Sequence, residues 1–538
     1  MVELFDIITG RVKDFVFKHD SVRVIQTALK YANLDQRKMI ARELKGEYRG
    51  LAESRYAKFL IGKMLVHGDA EIRDMIVPEF YGHVRRMIKH PEASWILDDV
   101  YRGIATSQQK AIMLREWYGA EFAIFKTDNK AQTTSGLADM LAQNPEKRTP
   151  IMRSLHDLIN QLVQKKTTGF TMLHDAMLQY FLTSKSGSEE ATDFIELLKG
   201  DEEGDLLKNL AFTKSGARLV CLALAYGNAK DRKHILKTYK DTIQTLAYDA
   251  HGHQVLLAAY DVIDDTVLTS KAIFPELVGK DATREALQEN ILAYAMHLNG
   301  RIPLLYLFAG KVKWLLPHDD RELLDELHAI RRTTSKKEPE TRRKELVRAL
   351  SAPLLAAIAA QAETLVQTSF GCQFIGEVLL DAEGEKKEAL DAIAGLAKSN
   401  VEAFESPAAG RMLKTLVLGG RFNAKTKAID PVDPPLHFHD MLYAQIEPEV
   451  VHWAIGANSF VVVGLLEAEG LSHKEALVKN LRKNKEVLEQ AATRKTKAQE
   501  ALSAADNGRI AESKERKSKS HGGDGGNKGT KLLLQKLG

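Results

Sequence analysis

Covalent staples are almost absent from this sequence. Its 538 residues include two cysteines, Cys221 and Cys372, too few for a disulfide framework or a thiolate zinc site, which points to a reducing compartment. Proline is scarce at 14 residues, and aromatic residues make up 7%. With abundant Leu, Ala and Lys, such a composition favours a helical, soluble chain. Apolar runs such as Phe460–Leu466 fall far short of the ~20 residues that span a bilayer. No basic-then-apolar leader opens the sequence.

Catalytic patterns are missing as well. There is no G-x-x-x-x-G-K-[ST] and no H-E-x-x-H. His251 and His253, like His437 and His439, alternate along the chain, so a helix would turn them to different faces, with no third ligand cluster nearby. Cys221 sits in an apolar stretch and reads as a small core residue. Asp98-Asp99 and Asp264-Asp265 read as turn or surface carboxylates. The expectation is a non-enzyme with no metal and no cofactor.

What is present is charge of both signs, 76 Lys+Arg against 72 Asp+Glu, unevenly placed. Residues 1–126 carry a net +4, residues 127–472 a net −8, and residues 473–538 a net +8. Basic ends around an acidic middle suggest an anionic partner met at the ends.

A nonapeptide recurs through the chain: a small residue, two variable positions, two apolar, two looser positions, then two apolar. It reads SVRVIQTAL from Ser21, AKFLIGKML from Ala57 and ASWILDDVY from Ala93, then GFTMLHDAM from Gly169, GARLVCLAL from Gly216 and GHQVLLAAY from Gly252. Weaker copies start at Gly300, Gly371, Ala409 and Asn458. Three of the intervals between starts are 36 residues, while 76 and 71 are about two periods, leaving either a degenerate copy or an insertion in each long gap. A period near 36 suits a unit of two or three short helices, and the apolar i, i+1, i+4, i+5 spacing gives each unit one buried face. No such unit buries that face alone, so the units must stack as an all-α solenoid. Residues 126–150 are polar and turn-rich, a candidate joint. Arg331–Arg343 reads as an exposed charged loop, roughly His473–Ala501 as a last lysine-rich helix, and GGDGGNKG as a flexible linker before the short apolar KLLLQKLG. The expected divisions are 1–126, 127–472 and a basic tail over 473–538.

SVRVIQTAL and AKFLIGKML resemble the RNA-facing helix of Pumilio-homology (PUF) repeats. RYAKFLIGKMLVHG, HPEASWILDDVYRG and REWYGAEFAIFK are similar to the Puf-A-like nucleolar branch of that family. The resemblance spans residues 4 to about 480. It implies a right-handed solenoid of about ten to eleven repeats in two blocks forming an L, and a lysine-rich extension ahead of residue 1. It also implies a nucleolar factor for large-subunit ribosome assembly and pre-rRNA processing. Such a factor grips RNA, tolerates DNA and meets ribosomal proteins and assembly factors; we expect a monomer.

PUF repeats read bases through two or three side chains each, here the second, third and sixth positions of the nonapeptide. The first copy offers Val22, Arg23 and Gln26; the second Lys58, Phe59 and Gly62; the third Ser94, Trp95 and Asp98. Later copies place Cys221, Leu257, Leu305, Gly376 or Val463 at the sixth position, where no strong bond to a base edge forms. The expected mode is therefore sequence-tolerant phosphate binding and stacking. Its candidate residues are Arg23, Gln26, Lys58, Phe59, Trp95, Arg218, Arg301 and Arg411, with the basic cluster of Arg85, Arg86, Lys89 and His90. The run Lys514–Ser520 is a candidate phosphate-binding or nuclear-targeting tract. Two alternatives stand beside this reading: an mRNA-specific translational repressor, and a HEAT- or armadillo-type protein scaffold, favoured by the acidic middle.

Overall fold

The nonapeptide copies set the architecture. In the computed structural model, which describes residues 2–119, 122, 136–185, 187–279, 283–493 and 527–538, every copy lies in one helix of a ladder. The chain divides into two compact units, Met1–Tyr239 and Lys240–Gly538. In the first, the ladder is α1 (Ser21–Tyr31), α2 (Lys58–His67), α3 (Ala93–Gly103), α4 (Thr171–Thr183) and α5 (Lys214–Tyr226). In the second it is α6 (Gly252–Val262), α7 (Arg301–Ala309), α8 (Ser369–Asp381), α9 (Pro407–Leu418), α10 (Ser459–Glu467) and α11 (Lys528–Leu537). Within each unit, every ladder helix packs on the next. The fold is the expected all-α solenoid of stacked helical repeats.

Direct packing of α3 on α4, and of α7 on α8, shows that both long gaps hold insertions and not degenerate copies. The last helix is an eleventh copy, GTKLLLQKL from Gly529, hidden in the sequence because Lys536 takes an apolar position. That lysine instead pairs with Glu467 across α10, at 3.0 Å. Asn527 fixes the contact: its amide donates to the carbonyls of Ile455 and Gly456, while Ser459 Oγ donates to its Oδ1 at 2.8 Å.

The apolar stripe behaves as its spacing requires. Leu60, Ile61 and Met64 on α2, and Ile96, Leu97, Val100 and Tyr101 on α3, are buried, each worth about 1.5–3 kcal/mol of transfer free energy for the aliphatic residues. The small leading residue has a steric cause. A Cβ on Gly216 would collide with the carbonyl of Leu210, and one on Gly371 with that of Leu365. These glycines let the preceding helix approach the ladder backbone.

A second device recurs unseen by the nonapeptide. Glu43 accepts from the backbone N–H groups of Gly10 and Val12, Glu79 from Gly46 and Tyr48, and Glu116 from Gly82 and Val84. In the second unit Glu276 takes Asp241 and Ile243 in the same way. Each carboxylate thus ties its repeat to the loop of the one before and satisfies two donors that would otherwise be orphaned.

Three expectations need correcting. Arg331–Arg343 is no exposed loop: it closes one helix, His318–Thr334, and opens another, Pro339–Val366. Within it Arg342 is buried and donates to Asp264 at 2.6 Å and to the Ile263 carbonyl. Pro339–Val366 is also long and apolar enough to cross a membrane by length and composition, a run the sequence reading missed. It is a core helix, packed against α8, Thr266–Val278, Arg284–Met296 and Lys387–Ser399. Finally, the single helix expected over 473–501 is two, Lys474–Lys483 and Lys485–Thr493; residues 494–501 lie outside the described residues, as do 126–135 of the expected joint and the tract 514–520. Residues 137–150 are helical apart from Asn144. A two-stranded antiparallel ribbon, β1 (Gly420–Asn423) and β2 (Ala428–Pro431), follows α9.

Candidate nucleic-acid interface

Within each unit the second, third and sixth positions of the copies recur on ladder helices that pack one on the next, so their side chains decide what the ladder edge offers. On α1, Arg23 is exposed and has no partner among the described residues, whereas Gln26 donates to the Tyr56 carbonyl at 3.4 Å. On α2, Lys58 is paired to Glu92 at 2.5 Å, and that bond holds the Glu92 carboxyl below its usual range. Phe59 is 56% exposed, with the Lys58 ammonium 5.1 Å from its ring centroid. On α3, Trp95 is 58% exposed and meets buried Phe170 edge-on at 5.0 Å. Asp98, at the sixth position, is buried and accepts from the Met172 amide at the start of α4. Burial dominates its ionisation and lifts the carboxyl to about 6 against the opposing backbone bonds.

In the second unit the edge is used up more completely. His253 and Gln254 on α6 both bond buried Asp320, each at 2.7 Å. Arg301 on α7 is 4% exposed; it donates to Gln373 on α8 at 2.6 Å and to the Trp314 carbonyl, and lies 3.8 Å from the Phe370 ring centroid. Cys372 is buried, and desolvation pushes its thiol up to about 11.

These contacts correct the sequence assignment. Arg301 is not available to RNA, because its guanidinium bridges two repeats from within the core. Lys58 and Gln26 serve first as bridges to the next repeat. Arg218 is partly buried and not free. Arg23, Phe59, Trp95 and Arg411 remain exposed.

The cluster before α3 divides in the same way. Arg86 pairs with Glu53 at 3.3 Å, and His90 Nδ1 caps α3 by accepting from the amides of Glu92 and Ala93. Arg85 donates to Ser154 Oγ at 2.7 Å on the helix Arg148–Gln164. Lys165, just past the end of that helix, joins Arg85 in depressing the Lys89 ammonium below its ordinary range, after burial as the larger cause. Neither Lys89 nor Lys165 has an acidic partner among the described residues. Lys165 was missed because it is remote from Lys89 in the chain; the insertion between copies three and four carries it there. Three adjacent cations without a carboxylate repel one another and favour an incoming anion.

Among the described residues, one trio has ligand atoms close enough to hold a metal: His318, Asp319 and Glu322. All three are exposed at the start of a helix.

A family profile described as the CPL (NUC119) domain matches residues 296–427. The chain is 34% identical to "Pumilio homology domain family member 6" of Schizosaccharomyces pombe over 92% of its own length and 75% of the relative's. It is 32% identical to the Saccharomyces cerevisiae protein of the same description, over 86% and 71%. Against the human "Pumilio homolog 3" it is 30% identical, over 78% and 62%. Among solved structures, "Crystal structure of human Puf-A in complex with DNA" superposes with a TM-score of 0.77 at 28% identity, covering 91% of this chain and 92% of that one.

Proposed function

The chain belongs to the Pumilio homology domain family, and from that premise we propose that it is a nucleic-acid-binding solenoid that holds RNA by its phosphates with little base selectivity. The observation that carries the reading is the division of labour along the ladder. Gln26, Lys58, Asp98, His253, Gln254 and Arg301, all at base-reading positions, are bonded to neighbouring elements, while Arg23 at another such position, and Lys89 and Lys165 beside the ladder, keep their charge unpaired. The DNA complex of human Puf-A, a protein of the same fold and 28% identical, supports tolerance of DNA as well as RNA.

The finer reading is that of an assembly factor for the large ribosomal subunit, acting as a monomer in the nucleolus during pre-rRNA processing. Its support is the resemblance of the first repeats to the Puf-A-like branch. In this reading the basic N-terminal face meets pre-ribosomal RNA, and the acidic stretch 127–472 meets ribosomal proteins and assembly factors. That net −8 also favours the protein-scaffold alternative, which predicts no RNA binding at all.

Fluorescence anisotropy with the full chain separates these readings. We expect log affinity to fall linearly with log salt, with equal affinity for scrambled and UGUA-containing RNA. A strong preference for the UGUA oligonucleotide would refute the loss of base readout. In cells, crosslinked reads should concentrate in ribosomal RNA; a shared motif across mRNAs would instead identify a translational repressor.

A further inference from the structure

Between α9 and the helix Phe438–Ile446 the chain leaves the helical pattern for the ribbon β1–β2. Arg421 clamps that ribbon to the second unit. Its guanidinium donates to Glu377 and Asp381 on α8, at 2.6 and 2.8 Å, and to the Phe308 carbonyl on α7. At the tip, Asn423 Oδ1 accepts from the backbone amides of Lys425 and Thr426, and its side-chain amide donates to Asp430. So short a ribbon is marginal by itself; these bonds make it a fixed platform.

The face turned away from Arg421 is apolar. Strand residues alternate between faces, so Phe422 and Ile429, partners across the ribbon, share the side opposite Arg421 and Asp430. The Val432 amide donates to the Gly419 carbonyl. Counted from that bond, Phe422 and Ile429 form a pair without mutual backbone bonds, the kind in which side chains come closest. Phe422 is 65% exposed, more than any other Phe, Tyr or Trp among the described residues. A second observation is independent of the ring. Lys427 has a φ of +56°, the left-handed region where a hairpin turn ordinarily places glycine. A lysine held there at a steric cost keeps an ammonium at the tip. Lys425 and Lys427 are both exposed, and neither ammonium has a partner among the described residues. The acids Asp430 and Asp433, also exposed, stand behind the tip and repel a polyanion laid along the ribbon. Charge therefore favours a short acidic protein segment over nucleic acid.

We propose that the outer face of this ribbon docks an acidic segment of a partner protein, one large apolar side chain of which packs on Phe422 and Ile429 while its carboxylates meet Lys425 and Lys427. The proposal stands apart from the nucleic-acid reading, since none of these residues belongs to the ladder edge or to the N-terminal cations. Two apolar side chains and two exposed ion pairs make a small, salt-sensitive contact of the weak and transient class.

The test selects a display library of random peptides of about 12 residues on the full wild-type chain. The synthesised consensus peptide should be acidic around a Leu, Phe or Trp and bind in the micromolar range, and Phe422→Ala should weaken it about 10-fold. Phe422→Leu should recover most of that affinity. Lys425→Ala/Lys427→Ala should weaken it about threefold at low salt and leave it unchanged in about 1 M salt. Because these side chains are exposed, each variant should keep the wild-type circular dichroism; in the wild-type chain, bound peptide should also slow hydrogen exchange at the amides of Phe422 and Ile429. A library that yields no peptide weakened by Phe422→Ala, or only basic ones, overturns the proposal and leaves the nucleic-acid reading untouched. Loss of single-stranded RNA affinity in Phe422→Ala would overturn it in favour of a nucleic-acid contact. Self-association of the wild-type chain that Phe422→Ala abolishes would overturn it in favour of a second copy.

Discussion

Lys89 offers a test in which stability and binding should move in opposite directions. Its neighbours Arg85 and Lys165 are both cationic and both disfavour its charge, so Lys89→Ala removes two like-charge contacts from the free protein. Each such contact on a solvated surface is worth a few tenths of a kcal/mol. Relief should therefore stabilise the first unit by about 0.5 kcal/mol, less the small loss of packed methylene area. With RNA the sign reverses, because the same ammonium is released from repulsion by a phosphate. Losing one phosphate contact should make the log–log salt slope shallower by about 0.7 for a single strand. Lys89→Ala/Lys165→Ala together should shift it by about twice that and weaken binding uniformly across sequences. Urea unfolding of the free protein and anisotropy titrations at several salt concentrations supply the two readouts. A destabilised variant with an unchanged salt slope would show that Lys89 is an ordinary surface lysine, and the argument from unpaired charge would fail.

Other expected outcomes follow from internal bonds. Burial lifts the Asp98 carboxyl to about 6 from an ordinary 3.8, so the folded state binds its proton more tightly than the unfolded chain. The stability this residue lends is full below pH 4 and is lost as pH rises through 6, amounting to at most about 3 kcal/mol; urea unfolding of Asp98→Asn at pH 4 and 7.5 should show that difference diminished. Arg301→Met should leave RNA affinity within twofold but change stability by several kcal/mol, since it leaves Gln373 and the Trp314 carbonyl unpaired in the core; a loss of affinity in a protein that unfolds normally would reinstate Arg301 as a contact. Glu79→Ala should orphan the amides of Gly46 and Tyr48 and destabilise the first unit by about 2–4 kcal/mol in chemical unfolding, with faster hydrogen exchange at those two amides.

The fold was legible because its signal is periodic. The small-x-x-apolar-apolar pattern fixes where a ladder helix starts, and the glycine at its head is demanded by close backbone approach, as at Gly216 and Gly371. Two features blurred the count: Lys536 concealed the eleventh copy, and the insertion that lengthens the interval from Gly300 to Gly371 to 71 residues resembled a second period. The charge pattern misled at Arg331–Arg343, where Arg342 is buried against Asp264; a run of basic residues on its own does not reveal that its acids lie more than 70 residues upstream. The carboxylate ties of Glu43, Glu79 and Glu116 do repeat at nearly the nonapeptide's period, so a search for conserved spacing of acids would have found them. Arg301 shows the limit most clearly. Its type and position were those of an RNA contact, and only its partners Gln373 and Phe370 identify it as core.

Those partners also explain why a ligand cannot restore base readout by pulling the edge residues free. Breaking buried bonds such as those of His253 and Gln254 to Asp320, or of Arg301 to Gln373 and the Trp314 carbonyl, strands two or more polar groups in the core at about 1–3 kcal/mol each, more where a group is charged. A well-formed contact to a base edge returns about 1–3 kcal/mol, so the exchange is unfavourable at each such position. Phosphate contacts demand no such exchange at Lys89, Lys165 or Arg23, whose charges are already unspent. Selectivity among sequences is therefore confined to exposed rings such as Phe59 and Trp95, and stacking on a ring discriminates weakly because every base has a π-face. Substituting Asp320→Ala would free His253 and Gln254 without a competing acceptor. If that variant, once shown to be folded, gained a preference for particular bases over wild type, the internal bonds would be proved the agents that silence the edge; unchanged selectivity would mean that the spacing of the ladder itself no longer fits bases.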